Sequence, residues 1–122
     1  MFQDLEHHTD DDIEAALSRN DPAELALLSI TVALSCRDAA SAEKLCIRLA
    51  ASDDPGVRAN ALVSLGHLAR RFRVLDERAV RPLIQAGLAD AHELVRLHAK
   101  SAADEIHQFL GWNFKGHTYA SW

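Results

Sequence analysis

The sequence predicts an all-α protein, a short right-handed α-α superhelix of about six helices, and three observations support this. The 122 residues include only three prolines and five glycines, too few turn residues for a β-sandwich or a barrel. Residues that can cap a helix repeatedly precede apolar residues at helical spacing. The pattern Val-Arg-x-x-Ala occurs at 57–61 and again at 95–99, 38 residues later.

Two helices are predicted before residue 37. Thr9 with Asp12 forms a start signal, and Asp21-Pro22 forms a second, because aspartate caps a helix and proline fits its first turn. The second helix contains the uncharged run 25–36, which is apolar on most sides and therefore typical of a central, buried helix. Its twelve residues are too few to cross a bilayer.

Two further helices are predicted in the middle of the chain. Asp38 or Ser41 begins the third, and Asp54-Pro55 begins the fourth. The apolar residues of the fourth are spaced by four, four and three positions, which places them on one face. They are Val57, Ala61, Leu65 and Leu68.

The last two helices are predicted after residue 75. Asp76 begins the fifth, with Pro82 expected near its first turn, where a missing N–H costs little. Asp90 or His92 begins the sixth, and Gly111 ends it. The residues predicted on the buried face of the sixth helix are Val95, Ala99, Ala102, Ile106 and Phe109.

The recurring residues indicate repeated units of two helices each. Asp54-Pro55 follows Asp21-Pro22 by 33 residues, and the Val-Arg-x-x-Ala interval is 38 residues. Repeats of this length are the signature of an α-solenoid. Neighbouring hairpins must then approach closely, and this requires small residues such as Ala59, Ala61 and Gly66.

These residues resemble the HEAT-repeat family, whose units read Asp-Pro-x-Val-Arg-x-x-Ala followed by Leu-Gly. The best-matching unit is 54–66, while the unit at the end of the chain keeps Val95, Arg96 and Ala99. The resemblance covers about residues 21–110 and implies that Arg58 and Arg96 bond to carboxylates or carbonyls in the turns. We therefore expect one domain over residues 1–122, with an acidic N-terminal cap (1–20), repeats (21–110) and an aromatic tail (111–122).

The charge of the chain is uneven. Residues 1–24 carry eight carboxylates against Arg19 alone, a net charge of −7, while the other 98 residues carry ten acids and twelve bases, a net charge of +2. Such an end repels nucleic acid and suits a basic protein partner. The candidate partner-binding acids are Asp10, Asp11, Asp12 and Glu14. The start of the chain does not read as a signal peptide, so we expect a cytoplasmic protein.

Motifs for metal or catalytic chemistry fail on spacing. The adjacent ligands of "EHHTDDD" (6–12) point in different directions, and "HELVRLH" (92–98) has Arg96 where a zinc protease needs its second histidine. Cys36 and Cys46 lie in apolar segments and read as reduced thiols. With no phosphate loop or nucleophile elbow, the sequence predicts no cofactor, no metal and no enzyme.

The tail holds four of the seven aromatic residues of the chain. We expect Trp112 and Phe114 to cover the exposed edge of the last hairpin, as an open stack requires. Tyr119 and Trp122 are the candidate anchors for a partner, because tyrosine and tryptophan are common interface hot spots.

The function that the resemblance favours is binding and inhibition of another protein. Small stand-alone HEAT-like proteins include bacterial immunity proteins, and toxins that cut nucleic acid are commonly basic. The five arginines and two acids of "RRFRVLDERAVR" (70–81) leave a nucleic-acid-binding module as an alternative. A regulatory or lyase-type subunit that acts on another protein is a second alternative.

Overall fold

Six α-helices form the fold in the computed structural model, which describes residues 9–119. They are α1 (Asp10–Arg19), α2 (Pro22–Ser35), α3 (Ala39–Ala50), α4 (Pro55–Phe72), α5 (Glu77–Leu88) and α6 (Glu93–Leu110). No strand occurs between residues 9 and 119. The predicted all-α fold of about six helices is confirmed.

Most helices begin at the capping residues that the sequence indicates. At α1, Thr9 and Asp12 exchange two bonds and form a capping box. Asp21 caps α2 and Asp54 caps α4, each accepting a backbone N–H three residues on, and each is followed by proline. Asp38, rather than Ser41, caps α3, and the Ser41 hydroxyl donates to the Asp38 carboxylate at 2.6 Å.

Pro82 lies deeper in its helix than predicted. It is the sixth residue of α5, in the second turn, so the prediction that it falls near the first turn is wrong. Proline has no N–H to give the carbonyl of Arg78, four residues earlier. Pro82 and Arg78 are both exposed, so water can satisfy that carbonyl and the helix continues.

The start of α6 is unlike the others. His92 occupies the cap position but makes no side-chain bond there. Asp90, the alternative, lies two residues further out, and its Oδ1 accepts the backbone N–H of His92 at 2.9 Å. The carboxylate of Asp90 also binds Arg58 of α4, which fixes the turn before α6 to the preceding hairpin.

The helices pack as three hairpins in two layers. Within each hairpin α1 contacts α2, α3 contacts α4, and α5 contacts α6. The helix α4 lies between α2 and α6, so the even-numbered helices form one layer. In the other layer α3 contacts α5, and Glu14 of α1 lies 3.8 Å from Arg48 of α3.

The central helix is α4, and α2 was wrongly expected to be central. Five of the fourteen residues of α2 are buried, whereas Leu27 and Leu34 are 65% and 47% exposed. Nine of the eighteen residues of α4 are buried. The uncharged sequence of α2 is therefore only partly explained by burial.

Small residues allow α4 and α6 to approach closely, as predicted. A Cβ atom on Gly66 would lie 3.0 Å from Cα of Ala102, which no side chain tolerates without a shift. Val57, Ala61, Leu65 and Leu68 of α4 are all buried, as are Val95, Ala99, Ala102 and Ile106 of α6. The predicted buried faces of these two helices are confirmed, with Phe109 half-buried at the end of α6.

A single apolar cluster extends from Ala16 of α1 to Phe114 of the tail. The helices of residues 9–119 are not both long and apolar enough for any of them to span a lipid bilayer.

Candidate partner-binding surfaces

The predicted acidic residues lie on the first helix. Asp10, Asp11 and Asp12 form the first turn of α1 and are exposed, although Asp12 also bonds Thr9 in the capping box. Glu14, one turn on, is exposed, and its contact with Arg48 is long. The acids therefore form a solvated, negatively charged edge on the first hairpin.

The aromatic tail folds onto the last hairpin. Phe114 is 4% exposed and belongs to the core, and Trp112 packs against it. The guanidinium of Arg81 lies 5.4 Å and 5.3 Å from the centroids of these two rings. Gln85 of α5 exchanges two backbone bonds with Lys115. The predicted covering role of Trp112 and Phe114 is confirmed.

Tyr119 lies within the fold of the tail. Its hydroxyl accepts the backbone N–H of Phe114, and its ring stacks on His107 of α6 with centroids 3.9 Å apart. Its other neighbour is His117, whose Nε2 is 2.8 Å from Oδ1 of Asp104. Half of Tyr119 thus serves the tail, and a contact to a partner would use its remaining exposed surface. Trp122 lies outside the described residues.

The structure does not bring the two predicted sets together. The acids lie on the first hairpin, while Tyr119 lies against α6 of the last. A partner that contacted both would have to extend over the length of the stack.

Arg58 and Arg96 bind the turns, as the resemblance implied. Nη1 of Arg58 donates to the carbonyls of residues 52 and 53, and Nη1 of Arg96 donates to those of residues 90 and 91, at 2.7–3.0 Å. Arg58 also forms a two-bond contact with Asp90, at 3.1 Å for each bond, which holds the pKa of that carboxyl below its ordinary value. These arginines are structural links between a helix and the turns beside it.

The arginines of segment 70–81 are mostly engaged within the protein. Arg71 donates to the carbonyls of Ala33 and Cys36 at 2.8 Å, beyond the last turn of α2. Arg81 pairs with Glu77 and holds the tail. Arg70 contacts Glu105 at 3.5 Å, and Arg73 lies over the ring of Phe109. Little of this positive charge is available to form a nucleic-acid surface.

Sequence reasoning missed a nearly uncharged surface on the outer side of the even-numbered layer, which we call the even-helix face. Each helix contributes four residues at the same spacing, and equivalent residues are 33 and then 38 positions apart. Of the twelve, only Glu105 is acidic or carries Lys or Arg, and none is fully buried except at the edge of that class. They are Ala23, Leu27, Ile30 and Leu34 of α2, Gly56, Asn60, Val63 and His67 of α4, and Leu94, His98, Ser101 and Glu105 of α6.

The repeat interval was the signal that could have found this face. The interval was used to align buried positions, but it also aligns the outward ones, such as Leu34 with His67 and Glu105. Bonds across the layer confirm that the rows are neighbours, since Asn60 of α4 donates to the carbonyl of Ala26 of α2 at 3.1 Å.

His67 and Glu105 each have an unsatisfied polar atom on this face. Nδ1 of His67 and Oε2 of Glu105 are buried, and neither has a hydrogen-bond partner within the described residues. Burial lowers the pKa of His67, and Arg70 lowers it further, while the charge of Glu105 opposes the shift. The imidazole is therefore neutral at pH 7, so Nδ1 can accept a hydrogen bond beside a carboxylate oxygen that also accepts.

The remaining features do not form a catalytic or metal centre within residues 9–119. No group of three or more His, Cys, Asp or Glu side chains in that range is arranged to hold a metal ion. Cys46 is fully buried, which raises the pKa of its thiol to about 12, and Cys36 is half-buried. A cavity of about 430 Å³ between the α1–α2 and α3–α4 turns is lined by apolar residues together with Arg48, Asp53 and Asp54.

Comparison of the chain with protein-family models, with curated proteins and with solved structures found no match.

Proposed function

We propose that this chain is a non-enzymatic protein-binding module, an immunity-type inhibitor that binds and neutralises a basic toxin in the bacterial cytoplasm. The observation that carries the proposal is the exposed acidic edge on α1. Asp10, Asp11 and Asp12 share one helical turn, and no basic residue of the same helix precedes Arg19. An exposed cluster of one sign steers a partner of the opposite sign and speeds its association.

Two further points support this function. The resemblance of residues 21–110 to HEAT repeats favours a binding scaffold, and small members of that class include immunity proteins. The arginines of segment 70–81 are used inside the fold, which argues against nucleic acid as the main ligand.

Affinity purification of the tagged chain from its native host tests the proposal. We expect one basic protein to be retained, and a variant with Asp10→Asn, Asp11→Asn and Glu14→Gln to retain less of it. Asp12 is kept in this variant because it completes the capping box of α1. The matched control removes the same charge from exposed sites elsewhere, with Asp53→Asn, Glu77→Gln and Glu93→Gln.

The outcomes separate the alternatives. Retention of nucleic acid would replace the inhibitor function with the nucleic-acid-binding module. Retention of a cofactor-bearing protein would favour the regulatory or lyase-type subunit. Equal losses of the partner from the acidic-edge variant and from its control would leave a binding module that α1 does not steer.

A further inference from the structure

The outward surface of α2 is more apolar than the packing of the protein requires. Leu27 is 65% exposed and Leu34 47% exposed, and half-buried Ile30 lies between them at helical spacing. On α6, at the other side of the even-helix face, Leu94 is 46% exposed. Single exposed leucines are ordinary, but a contiguous uncharged surface on a chain with 25% charged residues marks an interaction site.

The same face contains unsatisfied acceptors. His67 and Glu105 occupy equivalent positions on adjacent helices, and the only printed ion pair of Glu105 is the 3.5 Å contact of its Oε1 with Arg70. Oε2 of Glu105 and Nδ1 of His67 remain buried without partners. Buried acceptors without donors are costly, and a donor supplied from outside would remove that cost.

We infer that the basic partner docks on the even-helix face, packs aliphatic side chains against Leu27 and Leu34, and places one arginine or lysine side chain at His67 and Glu105. This inference rests on the proposed function and specifies where the partner binds. A cationic donor fits because one of the two acceptors is a carboxylate, and a charged hydrogen bond to it is stronger than a neutral one. The surrounding apolar residues exclude water, which is the arrangement of an interface hot spot.

Site-specific photo-cross-linking in the native host tests this inference. A photoreactive phenylalanine analogue replaces Leu27 or Leu94 on the even-helix face, and Val74 or Arg78 as exposed controls away from it. We expect an adduct with one protein from the first pair and none from the second. Leu27→Asp should abolish the adduct formed from Leu94, whereas Val74→Asp should leave it unchanged.

The contribution of the acceptors is tested in the same way. Glu105→Gln keeps the shape but removes the charge, and we expect it to lower the yield of the adduct by about tenfold, the effect of one hot-spot residue. Glu77→Gln, at an exposed carboxylate on α5, should not change the yield.

Each other outcome overturns the inference. Adducts only from Val74 or Arg78 would leave the proposed function standing and refute this docking face. Adducts with a second copy of the chain would show self-association instead. No protein adduct from any of the four positions would refute both the inference and the proposed function. An unchanged yield in Glu105→Gln would refute the role of the acceptors.

Discussion

At the scale of the residue, Arg58 shows how one side chain holds two hairpins together. Its guanidinium binds two carbonyls of the turn before its own helix and the carboxylate of Asp90 in the next hairpin. Because the fork of an arginine has fixed geometry, these bonds set the position of α4 relative to the turn before α6. Lysine could not reproduce this set of contacts.

A larger residue at position 61 should destabilise the fold. Ala61 is fully buried between hairpins, so Ala61→Leu overpacks the interface and should lower the free energy of unfolding by about 1–3 kcal/mol. Urea denaturation measures the change, with Ala40→Leu at an exposed position of α3 as the control. A curve identical to that of the parent would contradict the tight packing at this position.

The two thiols should differ in reactivity. Cys46 is fully buried and its pKa is raised to about 12, so the reactive thiolate is scarce at neutral pH, while Cys36 is half-buried. We expect a chromogenic disulfide reagent to modify Cys36 in the folded protein and both thiols after unfolding without reductant. A single disulfide, or equal rates in the folded protein, would contradict this prediction.

His67 should make the stability depend on pH. Its folded-state pKa is lowered by burial and by Arg70, despite Glu105, so the unfolded chain binds the proton more readily. The stabilising contribution is full above the unfolded pKa of about 6.5 and is lost as the pH falls through the folded value. Unfolding curves at about pH 7.5 and pH 5.5 should differ less in His67→Asn than in the parent. The control variant His92→Asn, at an exposed position, should keep the difference seen in the parent.

At the scale of the element, the contact between α4 and α6 depends on the absence of side-chain atoms. Backbone atoms of α6 lie where a Cβ on Gly66 would be, and Leu62 and Ala99 similarly crowd Gly87 of α5. Glycine weakens a helix on its own, so its presence within α4 and α5 reflects packing between elements.

Gly66→Ala should therefore lower stability although alanine is the better helix former. The gain in helix propensity is about 1 kcal/mol, and the forced separation of α4 and α6 should exceed it. Urea denaturation gives the sign. Ala86→Gly, at an exposed position of α5, measures the propensity effect by itself. A more stable Gly66→Ala protein would mean that the helices can separate at little cost.

The elements also show how far the sequence could predict the structure. Asp21, Asp54 and Asp76 marked helix starts because a cap is a local interaction between neighbours in sequence. The start of α6 stayed ambiguous because Asp90 serves the distant Arg58, and no local pattern contains that contact. The burial of α2 was overestimated because an apolar sequence looks the same whether it packs inside or forms an outward face.

The candidate site was less accessible to sequence reasoning. The acids of α1 could be named from composition, but Leu27, His67 and Glu105 are 78 residues apart from first to last and meet only through the packing of three helices. Tyr119 was named for its residue type, and its bond to the tail depends on how the tail folds back.

At the scale of the whole molecule, the acidic edge and the even-helix face divide the proposed work of binding. Exposed charges act over a distance and change mainly the rate of association, whereas desolvated anchors change mainly the rate of dissociation. The proposed function therefore predicts different kinetics for changes at the two places.

Association with the captured partner should slow as salt is added. The Debye length falls from about 10 Å at 0.1 M to about 3 Å at 1 M, which screens the carboxylates of α1. The variant Asp10→Asn, Asp11→Asn, Glu14→Gln should associate more slowly at low salt and dissociate at the parent rate. Surface plasmon resonance over a salt series measures both rates. Association that ignores both salt and this variant would contradict steering by α1.

The tail that covers the last hairpin also has a consequence for growth. A stack of like hairpins offers at each end a surface on which another hairpin fits, and such head-to-tail contacts do not close on themselves. Without Trp112 and Phe114 over α5 and α6, the last hairpin of one chain would be free to receive the first hairpin of the next, and copies would add without limit into a filament. The tail thus acts as a terminator, and it keeps a modular architecture finite.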